Sequence, residues 1–187
     1  ELVHAEIASA IDKGTPYMVG RFGSVELQVT IEEYLGIKKK IDSRNRLLSN
    51  NAGFFPADEE NTFHFSEVML DAMSLSDIQG VWYLCYEDYA IKRLLPCSTK
   101  ILEARYLEPW FNTKEPWTKS LQGKKVVVVH PFVNTIEMQY EKRKLIFPQN
   151  PEFLPEFELK TVRAVQTAAG AVDSRFDTWF DALDYMY

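Results

Sequence analysis

Apolar residues recur along the chain in two alternating rhythms, one helical and one strand-like. Leu2, Ile7 and Ile11 mark a first amphipathic helix, which Gly14 ends. A short strand over 17–20 follows. Ser24 then opens a helix carrying Val25, Leu27, Val29, Ile31, Tyr34 and Leu35, closed by Gly36. A polar stretch over 38–51 offers only Ile41, Leu47 and Leu48. Phe65, Val68, Met69 and Ala72 stand at helical spacing, which predicts a helix over 60–73.

The apolar run over 80–86 (GVWYLCY) predicts a buried strand. A helix through Ala90, Leu94 and Leu95 comes next and stops at Pro96. Residues 100–104 read as a strand. Pro109 and Pro116 flank a loop with Trp110, Phe111 and Trp117, an arrangement that suits core packing or a sugar-stacking platform. Residues 124–130 (KKVVVVH) form the clearest strand, continuous and β-branched as a strand covered on both faces would be. A helix over 135–147 and a strand over 160–166 follow. Ser174 and Asp177 have capping-box spacing before a last helix with Trp179, Phe180, Leu183 and Met186. Strands separated by helices predict one α/β domain over 1–187, built on a mostly parallel sheet of about five strands flanked by helices. In such an alternation another strand follows the last helix, so the domain is expected to continue beyond Tyr187.

Composition narrows the class. The 187 residues are 46% hydrophobic and 26% charged, enough for a real core in one domain. The net charge of −6 gives no electrostatic footprint for nucleic acid, although a local basic pocket for one phosphorylated ligand remains compatible with it. Cys85 and Cys97 are too few for a disulfide framework. Cys85, inside an apolar run, is expected to be a buried free thiol in a reducing compartment. No apolar run approaches the roughly 18 residues of a membrane helix, and nothing after Glu1 reads as a signal peptide, so a cytoplasmic location is expected.

Three segments carry candidate chemistry. In residues 20–26 (GRFGSVE) a strand runs through a glycine-bracketed turn into a helix N-terminus, where an open α/β sheet binds ligands and free amides favour an anion. Arg21 adds a planar cationic fork, and Glu26 can hold a metal, accept a sugar hydroxyl or act as a base. The plainer alternative makes Ser24 a cap, Glu26 a dipole partner and Arg21 half of a surface ion pair. Asn50 and Asn51 precede Gly53-Phe54-Phe55 and suit either a structural turn or hydrogen bonding to a uracil or sugar. His130 ends the best strand, and can bond a phosphate, act as a base or hold the turn. Arg143 or Lys144 can look into a phosphate pocket, or belong to a solvated face. His4 and His64 read as ordinary surface or boundary residues of amphipathic helices. No H-E-x-x-H, Walker A or G-x-S-x-G motif is present.

Arg21-Phe22-Gly23-Ser24-Val25-Glu26 resembles the R-F-G-D-G-E type signature of bacterial GT-D fold glycosyltransferases. Asn50 to Phe55, Pro116-Trp117, Leu121 to Val126, His130-Pro131-Phe132, Leu154 to Phe157 and Trp179 to Leu183 are similar to the same broader group. The resemblance implies a Rossmann-like sheet and transfer of a sugar from a nucleotide-sugar donor to a glycan or glycoprotein acceptor. The setting it implies is capsule, exopolysaccharide or glycoprotein assembly, near the inner face of the membrane. It further implies donor binding by Arg21, Gly23, Ser24 and Asn51, with Glu26 and His130 in catalytic roles. An Asp-x-Glu pair holds a divalent metal, Mn²⁺ or Mg²⁺, in the signature. Here Ser24 stands where the Asp would be and only Glu26 carries over, which implies a weaker metal requirement. A non-catalytic module binding a nucleotide-sugar or saccharide is the alternative that Ser24 favours, and another α/β enzyme of phosphorylated small molecules is a third.

Overall fold

A computed structural model describes residues 2–37, 46–112, 114–167 and 171–187; residues 38–45 of the expected polar stretch, Ile41 among them, lie outside the described residues. The chain is a mixed α/β protein and divides into two compact units. One comprises Met18–Leu102 with Val165–Tyr185, the other Glu1–Tyr17 with Glu103–Ala164.

The first unit holds a three-stranded sheet of β1 (Val19–Arg21), β2 (Ile78–Val81) and β3 (Lys100–Glu103), with β2 in the middle. β1 and β2 are parallel, in a register that sets Arg21 opposite Gly80. β3 starts beside the start of β2, where Lys100 N–H donates to Asp77 O at 2.9 Å, so it runs the same way. Helix α2 (Ser24–Tyr34) is the centre of the unit. Its apolar residues alternate because the helix is buried on two sides. Leu27 and Ile31 join Phe22, Met73, Ala90 and Leu95, while Val25 and Val29 join Leu48 and Phe54. Helix α3 (Glu59–Ser74) forms where the periodicity predicts a helix, although Val68 of the predicted stripe is exposed and Thr62, Ser66 and Met73 are buried; its cap is Asp58, whose carboxylate accepts Asn61 N–H at 2.8 Å.

The strand expected over 80–86 ends at Val81. Tyr83 and Tyr86 have φ of 60° and 72°, which no strand accommodates, and a loop leads instead into α4 (Glu87–Arg93). Cys85 in this loop is exposed, contrary to the buried thiol expected from its apolar neighbours. The closing helix α7 (Trp179–Met186) is capped by a Thr178–Asp181 box, not by Ser174 and Asp177. Asp173 pairs with Arg175 at 2.7 Å, and Trp179 and Phe180 pack on Phe54.

The second unit pairs β4 (Lys125–His130) with β5 (Glu158–Arg163) in parallel. The sheet of about five strands expected from sequence is therefore two separate sheets, of three and two strands. KKVVVVH is a strand, but it is not covered on both faces: Val127 and Val129 are 62% and 51% exposed, while α5 (Val133–Glu141) packs on the other side. The helix expected over 135–147 is broken at Lys142 into α5 and a short α6 (Arg143–Ile146). Helix α1 (Leu2–Lys13) carries His4, which is buried rather than at the surface or boundary position expected. Its Nδ1 accepts Trp117 N–H (3.2 Å), so the neutral ring donates from Nε2 to Tyr106 O (2.9 Å). Trp117 donates its indole N–H to Leu107 O at 2.7 Å, which fixes it as packing, whereas Trp110 and Phe111 of the same aromatic loop remain exposed.

Candidate functional site

The carboxyl ends of β1 and β2 bring two backbone turns side by side. The Arg21–Gly80 register places the turn after β1 next to Val81 and Trp82. Phe22 is buried in the α2–α4 core and anchors that turn. Gly23, not Ser24, is the N-cap of α2; it is extended (φ −82°, ψ 138°) and gives no side-chain cap bond. Ser24 is thus the first helical residue, exposed, and the first-turn amides of α2 keep no side-chain cap. The Glu26 carboxylate folds back over the Gly23 Cα, where a Cβ would sit 2.2 Å from Oε2. A carboxylate there complements the helix dipole while leaving Glu26 half-exposed. Arg21 is exposed and has no ion-pair partner among the described residues.

Opposite lies the 82–86 loop. Tyr83 and Tyr86 are both left-handed at φ, a conformation that costs a non-glycine residue ~1–3 kcal/mol and persists only where its surroundings impose it. Here the imposing group is Glu87. Its carboxylate, 2% exposed, accepts Trp82 N–H at 3.0 and 3.1 Å and Leu84 N–H at 2.7 Å. Tyr86 adds a second tie by donating its hydroxyl to the buried Glu32 of α2 at 2.8 Å. Tyr83 is left 77% exposed beside a cleft of about 480 Å³ lined by Val81, Cys85, Asp88, Ile101 and Leu102. Reading the run as a strand hid this loop. The signal that could have revealed it is the acidic pair Glu87-Asp88 ending an apolar run, since a carboxylate is the natural acceptor for amides that leave a ladder.

Asn51 belongs to the same unit but to a different concavity. Residues Leu48–Ala52 form a single π-helical turn ended by Gly53 at φ 74°. Asn50 and Asn51 project from it and line an open hollow with Arg46 and Leu47. Leu48 and Phe54 anchor the turn against Val25 and Val29 of α2. Gly53 is required there: a Cβ would lie 1.6 Å from the Thr167 carbonyl oxygen.

His130 lies in the other unit, at the carboxyl end of β4. Its Nδ1 accepts Phe132 N–H at 3.1 Å, so the neutral ring carries its proton on Nε2. That tautomer offers a donor to an anionic oxygen, and Nδ1 is engaged. Arg163 braces the following turn by donating to Pro131 O (2.9 Å) and Asn134 Oδ1 (2.7 Å).

For a divalent metal the donor set is thin. Among the described residues no group of three or more His, Cys, Asp or Glu comes together. The β1–α2 turn supplies the Glu26 carboxylate and the Ser24 hydroxyl, which do not by themselves fit a cation demanding about six oxygen ligands. Comparison of the chain with models of protein families, with curated proteins and with solved structures finds no match to any of the three.

Proposed function

We propose that the three-stranded unit binds a nucleotide-sugar, and that the protein is a glycosyltransferase of bacterial surface polysaccharide assembly with a glycan or glycoprotein acceptor. The observation that carries this reading is the meeting of two turns at one sheet edge. An unpaired Arg21 and the uncapped start of α2 stand beside an aromatic loop held under strain. In a Rossmann-like arrangement this is the ligand edge. Arg21 and the amides of Ser24 and Val25 suit the donor diphosphate, and would stabilise charge as the nucleoside diphosphate leaves. Tyr83 offers an exposed ring face to a base or sugar, and Glu26 accepts hydrogen bonds from sugar hydroxyls. Asn51, in its own hollow, and His130, in the other unit, each offer a hydrogen bond to a saccharide or phosphate oxygen, and the binding edge described does not depend on either. Similarity of residues 21–26 to the R-F-G-D-G-E signature supports transfer over other reactions of phosphorylated molecules. With one carboxylate in place of two, the reaction depends less on Mn²⁺ or Mg²⁺ than that signature implies, and no step here runs through a metal. Such chemistry belongs in the cytoplasm, at the inner face of the membrane, where nucleotide-sugars meet growing glycans.

A second reading, a module that binds a nucleotide-sugar or saccharide without turning it over, is favoured by Ser24 and by the fold-back of Glu26 onto Gly23. A melting screen of nucleotide-sugars with and without Mn²⁺, paired with an assay of nucleoside diphosphate release, separates them. Ligand at 100 times its Kd adds about 2.7 kcal/mol of stability. Stabilisation with release supports the transferase, and stabilisation without release supports the binding module. If no nucleoside diphosphate stabilises the protein, both readings fail.

A further inference from the structure

The two-stranded unit contains a second cavity, mostly apolar in its lining but edged by charged side chains, and we infer that it is a binding site for the phosphoryl group of a small molecule. The cavity holds about 500 Å³ and is walled by Lys119, Gln122, Arg143 and Lys144, with Leu154 and Pro155 among its apolar surfaces. Three cations therefore meet two carboxylates, Glu152 and Glu156, in a protein whose overall charge is −6.

Arg143 is the built part of the site. Its side chain is only 17% exposed, and its guanidinium lies 4.8 Å from the centre of the Tyr140 ring. The Tyr140 hydroxyl is itself pinned: it accepts Phe157 N–H and donates to Phe157 O, each at 2.7 Å. A planar fork on a fixed aromatic plate is pre-organised for an oxyanion, so little freedom is lost on binding. Gln122 accepts Glu156 N–H through Oε1 at 3.2 Å, which leaves its NH₂ group without a partner among the described residues. Lys144, from the next position along α6, is likewise without an ion-pair partner among them.

The groups that now face these donors are weakly held. Glu156, 69% exposed, meets Arg143 at 3.0 Å, and Glu152, 47% exposed, meets Lys119 at 3.5 Å. In both pairs the carboxylate partner is well exposed to water, so a tetrahedral oxyanion with several acceptor oxygens can take its place. A guanidinium fork, two ammonium groups and an amide line the one cavity, a set of donors that suits the several acceptor oxygens of a phosphoryl group. The cavity exceeds what phosphate alone would fill, and its apolar surfaces leave room for the body of a phosphorylated small molecule.

The test is calorimetric titration of the whole chain with inorganic phosphate and with pyrophosphate, in chloride buffer at fixed ionic strength. Saturable binding is expected. Loss of one charge-assisted bond, about 1.5–3 kcal/mol, corresponds to roughly a ten- to hundredfold weakening for Arg143→Gln. Lys144→Gln touches nothing that holds the fold and is expected to weaken binding about three- to tenfold. Lys142→Gln, outside the cavity, is expected to leave it unchanged. Absence of saturable binding to the wild-type chain overturns the proposal. So does an unchanged affinity in Lys144→Gln, or an equal loss in Lys142→Gln, which would indicate charge alone. Binding that survives Arg143→Gln but disappears in Arg21→Gln would place the anion at the other unit and overturn it as well.

Discussion

Removing the Glu87 carboxylate tests whether the 82–86 loop is held in the way described. In Glu87→Ala two backbone N–H groups, of Trp82 and Leu84, lose an ionised acceptor at 2.7–3.1 Å. Hydrogen bonds to charged groups contribute about 1.5–3 kcal/mol each. Leu84 is 44% exposed, so water can replace one of the two at least in part. Relaxation of Tyr83 and Tyr86 from positive φ returns some strain energy. The expected net loss is about 2–4 kcal/mol, a large share of the ~5–15 kcal/mol that stabilises a typical domain. Glu87→Gln keeps one acceptor oxygen and is expected to lose about half as much. Asp88→Asn serves as the control, because Asp88 is 89% exposed and only meets Lys92 at 3.4 Å; its effect should stay within about 0.5 kcal/mol. Urea unfolding followed by far-ultraviolet circular dichroism measures all three. If Glu87→Ala cannot be distinguished from Asp88→Asn, the carboxylate clamp is not what shapes the loop.

Three further outcomes are expected. His4→Ala leaves Trp117 N–H and Tyr106 O without their partner and opens a cavity in the buried face of α1, so denaturant unfolding should show a loss of about 2–4 kcal/mol. Gly53→Ala combines φ 74° with a Cβ overlapping the Thr167 carbonyl and should destabilise by more than about 2 kcal/mol, against about 1 kcal/mol for Gly36→Ala, which has the same backbone sign but open space. The Asp173 carboxyl is held below the ordinary carboxylate range, chiefly because the Arg175 side chain donates to it at 2.7 and 2.9 Å. Its folded value lies below its unfolded one, so its contribution to stability is present above the unfolded value and is lost as pH falls through the folded one. Carbon-13 titration of the Asp173 carboxyl should show the low value, and Arg175→Gln should return it to the ordinary range.

Much of the local structure is legible in the sequence because it is decided locally. Gly14 and Gly36 end their helices at positive φ, and the periodicity of Phe65, Val68, Met69 and Ala72 does mark α3. What escaped depends on distant partners. The run over 80–86 is as apolar as a strand, and the carboxylates of Glu87 and Glu32 hold it out of the sheet after Val81. Four valines in KKVVVVH do specify a strand, yet they do not specify what lies on its two faces. Just before the last helix the pattern of a hydroxyl residue with Asp three positions on stands at both Ser174 and Thr178. Packing of Trp179 and Phe180 against Phe54 accompanies the second. At the site, the glycine-bracketed turn and Arg21 could be read directly, whereas the loop facing them could not. The sequence left Arg143 between a phosphate pocket and a solvated face; its platform, Tyr140 pinned to Phe157, comes from residues 17 positions apart.

If the β1–α2 turn handles a nucleotide-sugar as proposed, the charge of Glu26 is needed for turnover. The measurement is nucleoside diphosphate release from nucleotide-sugars, made with melting on the same samples of wild type and Glu26→Gln. The substitution keeps the shape that folds over Gly23 and removes the charge. A carboxylate serving only the helix dipole would lose about 0.3–1 kcal/mol of stability and leave release intact. The account predicts the reverse: release by the wild type, its loss in Glu26→Gln, and a melting temperature that hardly moves. Release that persists undiminished in Glu26→Gln contradicts it.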